Sequence, residues 1–255
     1  MLEMYHNRIG VYTVNIIPAT EYYKLAQPDG WDFYTGNTIN YRQEIGNTVT
    51  PPKANNSGKL CSSAFIHASD KPNKCFIGAE IPCSAYLVEG MPSICDDDKC
   101  GFVELAIVKE ITDLDKLFGW VYAKIANPTK PLLSTNQISL DIAIEKLKVW
   151  TSARTSVGAS VRGSVWTSVR ASVRASVKDS IRGSVWASVR DSIGAYIGSA
   201  FPNISKWEYT EHTEGDYPYQ SCVDLWEGGY IPSFDGKVWR LQSGEQAELV
   251  YETKI

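Results

Sequence analysis

Residues 151–198 read TSARTSVGASVRGSVWTSVRASVRASVKDSIRGSVWASVRDSIGAYIG, twelve four-residue units in succession without an insertion. Serine holds the second place except at Tyr196, and Val or Ile the third except at Ala153. The first place holds Thr, Ala, Gly or Asp, and the fourth Arg, Lys, Trp or Gly. Two structures present like residues every four positions. In an α-helix, four residues turn through about 400°, so the Ser-Val pair forms a stripe drifting by about 40° per unit. In a β-solenoid, alternate places face inward, which buries Asp179 and Asp191 at a cost unless they find partners. A helical pattern upstream, the lack of proline between Leu132 and Phe201, and the two aspartates favour the helix. Gly158, Gly163, Gly183, Gly194 and Gly198, with the β-branched valines, keep the solenoid open. The helical reading expects Ser and Val on a buried face and the other two places outside. One straight helix of this length would span about 72 Å, too long for a globule of 28.3 kDa, so it implies breaks or self-association.

Working outward, the tract carries seven basic residues against Asp179 and Asp191, a net charge of +5 in a chain whose total is −4. The remainder is therefore strongly acidic. Such asymmetry suits a polyanionic partner, or a basic middle lying against acidic surfaces of the same protein. At 255 residues and 44% apolar content the chain can bury a core. No basic-then-apolar leader opens it and no apolar run approaches a bilayer span, so the expectation is a cytoplasmic protein with no membrane partner. Six cysteines without a secretory signal then read as free thiols in a reducing compartment.

Before the tract, short β-rich runs alternate with turn signals. Strands are expected at Ile9–Ile17, Ala64–Ala68, Ser84–Glu89 and Phe102–Ile111, a short helix at Thr20–Ala26, and a surface loop at Thr50–Lys59. Within Phe102–Ile111, Val103, Leu105 and Ile107 share one face, with Glu104 on the other. Asp113 caps a helix from Leu114 to about Ile125, stopped at Asn127-Pro128. Ser134–Gln137 has capping-box spacing ahead of a helix running toward Trp150. After the tract, Ser221–Glu227 reads as a helix stopped by Gly228-Gly229, and Phe234–Leu241 with Ala247–Glu252 as a β-hairpin. Trp207, Trp226 and Trp239 read as core anchors. The fold class is α+β: a strand-rich N-terminal domain (1–130), a linker and helix (131–150), the repeat (151–198), and a small C-terminal α+β cap (199–255).

The run Gly58-Lys-Leu-Cys-Ser-Ser-Ala-Phe-Ile-His-Ala-Ser69, then Asn73-Lys-Cys-Phe-Ile-Gly-Ala-Glu-Ile-Pro-Cys83, Asp113–Trp120, the Ser-Val tract and Ile231–Arg240, resembles a family of uncharacterised bacteriophage and prokaryotic proteins. Members usually carry Gly where this chain has Ala64. The resemblance implies this architecture and a viral or prokaryotic setting, the host cytoplasm if phage-encoded. It implies no reaction.

Among residues with chemistry, His67 stands out, because an imidazole at the end of an apolar strand can act as acid, base or anion donor near neutrality. Its ordinary role is a hydrogen-bonded histidine at a strand end. With Tyr34, Thr35 and Glu104 it makes a candidate pocket, comparable at fold level with ADP-ribosyltransferase-like enzymes that hold a nicotinamide cofactor. Glu104 would supply the carboxylate. Cys95 and Cys100 have thiolate spacing usable by zinc, completed by Cys61, His67, Cys75 or Cys83 only if folding gathers them; scattered thiols are the simpler reading, and neither metal nor cofactor is called for. Arg170, Arg174, Lys178 and Arg182 recur every fourth residue and would form a cationic ridge on a helix, able to meet phosphates, with Trp166 and Trp186 interleaved. A solvated basic face explains the same pattern. The expected function is assembly or partner binding through the repeat, with a nucleotide-using N-terminal enzyme or nucleic-acid binding as alternatives.

Overall fold

The computed structural model describes residues 4–7, 10–13, 21–56, 58–127, 138–168, 186–244 and 246–254, with backbone alone at 4–7, 10–13, 162, 165–168 and 186–190. The chain is α+β, every described strand pair is antiparallel, and no described sheet closes into a barrel. A hairpin of β1 (Met4–Asn7) and β2 (Gly10–Thr13) comes first.

The segment expected as a helix at Thr20–Ala26 is instead strand β3 (Glu21–Ala26). Both its faces are covered: Tyr22 and Ala26 join one apolar cluster, while Leu25 joins another on the opposite face. It pairs along its length with Ser84–Glu89, and that ladder outweighs the local helix preference. Next come β4 (Thr48–Val49), β5 (Ile66–Ala68), a 3₁₀ turn at Pro72–Ile77, and β6 (Ser84–Glu89). The single strand expected at Phe102–Ile111 is two. After β7 (Ile94–Cys95), β8 (Cys100–Phe102) pairs in one sheet and β9 (Leu105–Ile111) in another, with Val103 and Glu104 at the bend between them. One sheet has the order β3-β6-β9-β4 and the other β5-β8-β7. Register slips at Leu87/Val88, which leaves Val108 without a partner and turned to solvent. Tyr22, Tyr86, Val88, Phe102, Leu105 and Ile107 fill the space between the sheets.

Asp113 accepts the Lys116 amide at 3.0 Å and starts a helix as its residue type predicts. Gly119, at φ 76°, breaks that helix into α1 (Leu114–Phe118) and α2 (Tyr122–Ala126). The expected capping box at Ser134–Gln137 lies outside the described residues. Ser139 caps α3 (Leu140–Ala153) instead. A 3₁₀ turn at Arg154–Ser156 leads into α4 (Val157–Ser168), and the tract ends in α5 (Trp186–Gly198).

Both described stretches of the tract are thus helical. Ser160, Ser164 and Ser192 are buried while Ser152, a unit or more earlier, is exposed, as expected of a stripe that drifts around the helix. Val157 and Ile197 are buried, whereas Val161 and Ile193 are only half-buried. Three neighbouring pairs share one sequence separation: Arg154 with Asp191, Val157 with Gly194, and Val161 with Gly198. Equal steps along both chains mean that α4 and α5 run in the same direction, valine places of one against glycine places of the other.

The end of the tract does not stand free. Ile197, Ala200, Phe201 and Trp207 pack with Phe118, Trp120, Phe76, Leu25 and Ala85, covering the outer face of the four-stranded sheet. On its other side, α3, α4 and α5 pack against α6 (Gln220–Glu227) and the sheet of β10 (Tyr230–Phe234), β11 (Val238–Ser243) and β12 (Glu248–Lys254). Trp207, Trp226 and Trp239 are all buried. The tract joins two cores.

Candidate functional site

Along the free edge of β3, where a Tyr23–Ser69 bridge ties it to β5, a cleft of about 310 Å³ opens. Leu25, Phe33, Ala68, Ile77 and Ala79 form its apolar wall. Lys24, Lys74 and Lys99 bring three ammonium groups, His67, Ser62 and Ser69 further polar atoms, and no Asp or Glu lines it.

Each cation is held differently. Lys24 reaches the buried Asp32 carboxylate at 2.8 Å. That carboxylate also accepts the Tyr41 hydroxyl at 3.0 Å and the backbone N–H groups of Tyr34 and Thr35 at 2.9 and 3.1 Å, an Asx-turn that swings the Tyr34 ring into solvent at the cleft mouth. Burial alone would push the Asp32 carboxyl up. The Lys24 ammonium and the converging donors outweigh it and hold the group well below the usual carboxylate range. Lys74 pairs with Asp70 at 3.1 Å and donates to the Asp97 carbonyl at 2.7 Å. Among the described residues, no carboxylate lies within ion-pair distance of Lys99.

His67 is half-buried on the central residue of β5. Its Nε2 is bonded to the Leu60 carbonyl, an acceptor only, so the proton sits on Nε2 and Nδ1 is left as an acceptor. Burial lowers its pKa most, the Leu60 bond opposes this, and Lys24 and Lys99 lower it further. The net direction is downward. The ring is therefore neutral at pH 7 and polarises nothing by charge.

The structure brings Tyr34 and His67 to one cleft and places Thr35 beside it, its hydroxyl 3.3 Å from Asp32. Glu104 is elsewhere: it is exposed and lines a separate hollow with Glu89, Gly90 and Met91. The grouping expected of these four residues is corrected accordingly, because the break between β8 and β9 sends Glu104 around a bend rather than along one strand. The reading of six free thiols is corrected too. Cys95 and Cys100 are opposite each other in the β7–β8 pair and form a disulfide. Cys61 and Cys75 line the cleft, whereas Cys83 is buried and takes the Tyr122 hydroxyl at its carbonyl. Among the described residues no cluster of metal-ligating side chains forms. Arg170, Arg174, Lys178 and Arg182 lie outside the described residues. Arg154 does not face solvent as a fourth-place residue should: its guanidinium lies 4.2 Å from the Phe234 ring and 5.2 Å from that of Trp239.

The three lysines escaped the sequence reading because β3 read as a helix and Lys74 and Lys99 sit in turns. Asp32 followed by Phe-Tyr-Thr is a turn signal that would have found the Asp32 hub. No family model, curated protein or solved structure matches this chain. Among the described residues no helix is long and apolar enough to cross a membrane.

Proposed function

We propose that the N-terminal unit binds a small anionic molecule with a flat apolar body in the cleft beside His67. One observation carries this: three ammonium groups and no carboxylate line a cleft whose remaining wall is mostly apolar. Lys24 and Lys74 are partly neutralised by the buried Asp32 and the exposed Asp70, and Lys99, which feels Asp96 but has no ion pair among the described residues, is the cation best placed to meet an anion. Tyr34, 85% exposed, offers a ring to stack on at the mouth. A nucleotide belongs to this ligand class, so the ADP-ribosyltransferase-like alternative survives as a binding proposal; its carboxylate would have to come from a residue other than Glu104. Calorimetry of the full chain with 1-naphthyl phosphate, adenosine monophosphate and neutral 1-naphthol tests it. The anions should bind more tightly than the neutral probe, and Lys99→Gln should weaken them by about tenfold, the value of one charge-assisted hydrogen bond. Equal binding of the neutral probe, or none by either anion, would remove the reading.

A second reading keeps the expected assembly or partner-binding role for the tetrapeptide tract, in a protein of the bacteriophage and prokaryotic type it resembles. The same-direction packing of α4 against α5 supports it, since like units pack on like without large side chains at the contact. Chains of this kind can extend such packing between copies.

A further inference from the structure

We propose that the Cys95–Cys100 disulfide is a redox control on the cleft, holding Lys99, Lys74 and Ser69 in their anion-binding arrangement while intact and releasing them when reduced. The inference rests on the anion-binding reading of the cleft.

The bond is the covalent tie of a turn otherwise held by hydrogen bonds alone, among them the Ser93 amide to the Gly101 carbonyl at 2.8 Å and the Asp96 amide to the Lys99 carbonyl at 3.0 Å. Strand β7 is two exposed residues long and pairs with β8 only through Ile94–Gly101 and Cys95–Cys100. Three adjacent carboxylates, Asp96, Asp97 and Asp98, fill the turn and repel one another. Against that repulsion, Asp96 accepts the amides of Asp98 and Lys99, both at 2.8 Å. The inner side of the turn belongs to the cleft. The Asp98 carbonyl accepts the Ser69 hydroxyl at 2.7 Å and the Asp97 carbonyl accepts the Lys74 ammonium at 2.7 Å. Lys99, next in the chain and directly before Cys100, lines the cleft itself. Opening the bond therefore leaves one cation and the anchor of a second held by hydrogen bonds in place of a covalent tie.

The chemistry is ordinary thiol exchange with a dithiol reductant. Its thiolate attacks the exposed Cys95 sulfur, the S–S bond breaks, and Cys100 leaves as a thiolate that takes up a proton. The second thiol displaces Cys95 from the mixed disulfide. The reductant leaves as a cyclic disulfide, and the protein has gained two electrons and two protons. Three of the four other thiols are inert: burial pushes Cys75 and Cys83 up to about 11 and Cys222 higher still, so none of these is a competent thiolate at neutral pH, whereas Cys61 is exposed.

The test uses the full chain and 1-naphthyl phosphate, with maleimide labelling to count accessible thiols. The oxidised protein should label at Cys61, and the dithiothreitol-reduced protein at Cys61, Cys95 and Cys100. Reduction, and separately the Cys95→Ser/Cys100→Ser variant, should weaken the probe by fivefold to tenfold, about the share of one lost cation. By linkage, saturating probe should raise the dithiothreitol needed for half-reduction by the same factor. Equal affinity of oxidised and reduced protein overturns the proposal while leaving the cleft reading intact. Loss of the far-UV circular dichroism spectrum on reduction also overturns it, since the control would then not be local. Failure of the oxidised protein to bind the probe overturns both.

Discussion

Asp32 is 7% exposed, yet its carboxylate takes hydrogen bonds from Lys24, Tyr41, Tyr34 and Thr35. Five donors from four residues, the Thr35 hydroxyl included, on one buried charge make it the residue on which the β3 edge and the following turn depend. Removing the charge leaves the Lys24 ammonium, itself mostly buried, without its counter-ion. Asp32→Asn should therefore cost about 3–5 kcal/mol in urea unfolding. The sign of the pH effect follows from the depressed folded pKa. The carboxylate's contribution is complete above its unfolded pKa, near 3.8, and is lost as pH falls from there toward the folded value. The acid limb of the stability curve should be shallower in Asp32→Asn than in the parent; identical limbs would show that Asp32 is not the group responsible. Little of this was legible in the sequence. An aspartate two and three residues before free amides signals a turn, but nothing in the chain says which lysine will reach it.

At the scale of the element, the glycines of the tract separate by environment. A Cβ at Gly198 would lie 2.4 Å from the Tyr217 hydroxyl and 3.2 Å from Val161, whereas at Gly158 it would meet nothing within 4 Å. Gly198→Ala should cost about 1–3 kcal/mol through overpacking, and Gly158→Ala should stabilise by up to about 1 kcal/mol through helix propensity. Denaturant melts of the two variants check this, and equal effects would contradict the close packing of Tyr217 and Val161 on Gly198. The four-residue period made the helix readable and predicted that its apolar stripe would drift. It did not reveal that fourth-place glycines would face valines of another helix, because a one-dimensional period carries no information about which segment returns beside it. The strand at Glu21–Ala26 was misread for a related reason: six residues are too few to separate a period of 2 from one of 3.6 until a partner strand is known.

Across the whole molecule, the tract is a bridge between two cores rather than a rod beside a domain. Residues 197–207 cover Phe118 and Trp120, so the N-terminal unit cut away from the tract would expose that aromatic surface. Assembly is therefore best measured on the full chain. Under the second reading, light scattering should return a multiple of 28.3 kDa, and a monomer at all accessible concentrations would remove homomeric assembly. By itself, the sequence determined the α+β class, the Asp113 cap and the buried tryptophans, and it favoured the helix seen in the described stretches of the repeat. Each rests on a local rule of period, capping or side-chain chemistry. Only the tertiary structure decided that Lys24, Lys74 and Lys99 meet His67, that Glu104 does not, and that Cys95 and Cys100 are joined. Those outcomes depend on strand pairing and on the bend at Val103-Glu104 that separates β8 from β9, and pairing is chosen by the burial of surfaces far apart in sequence.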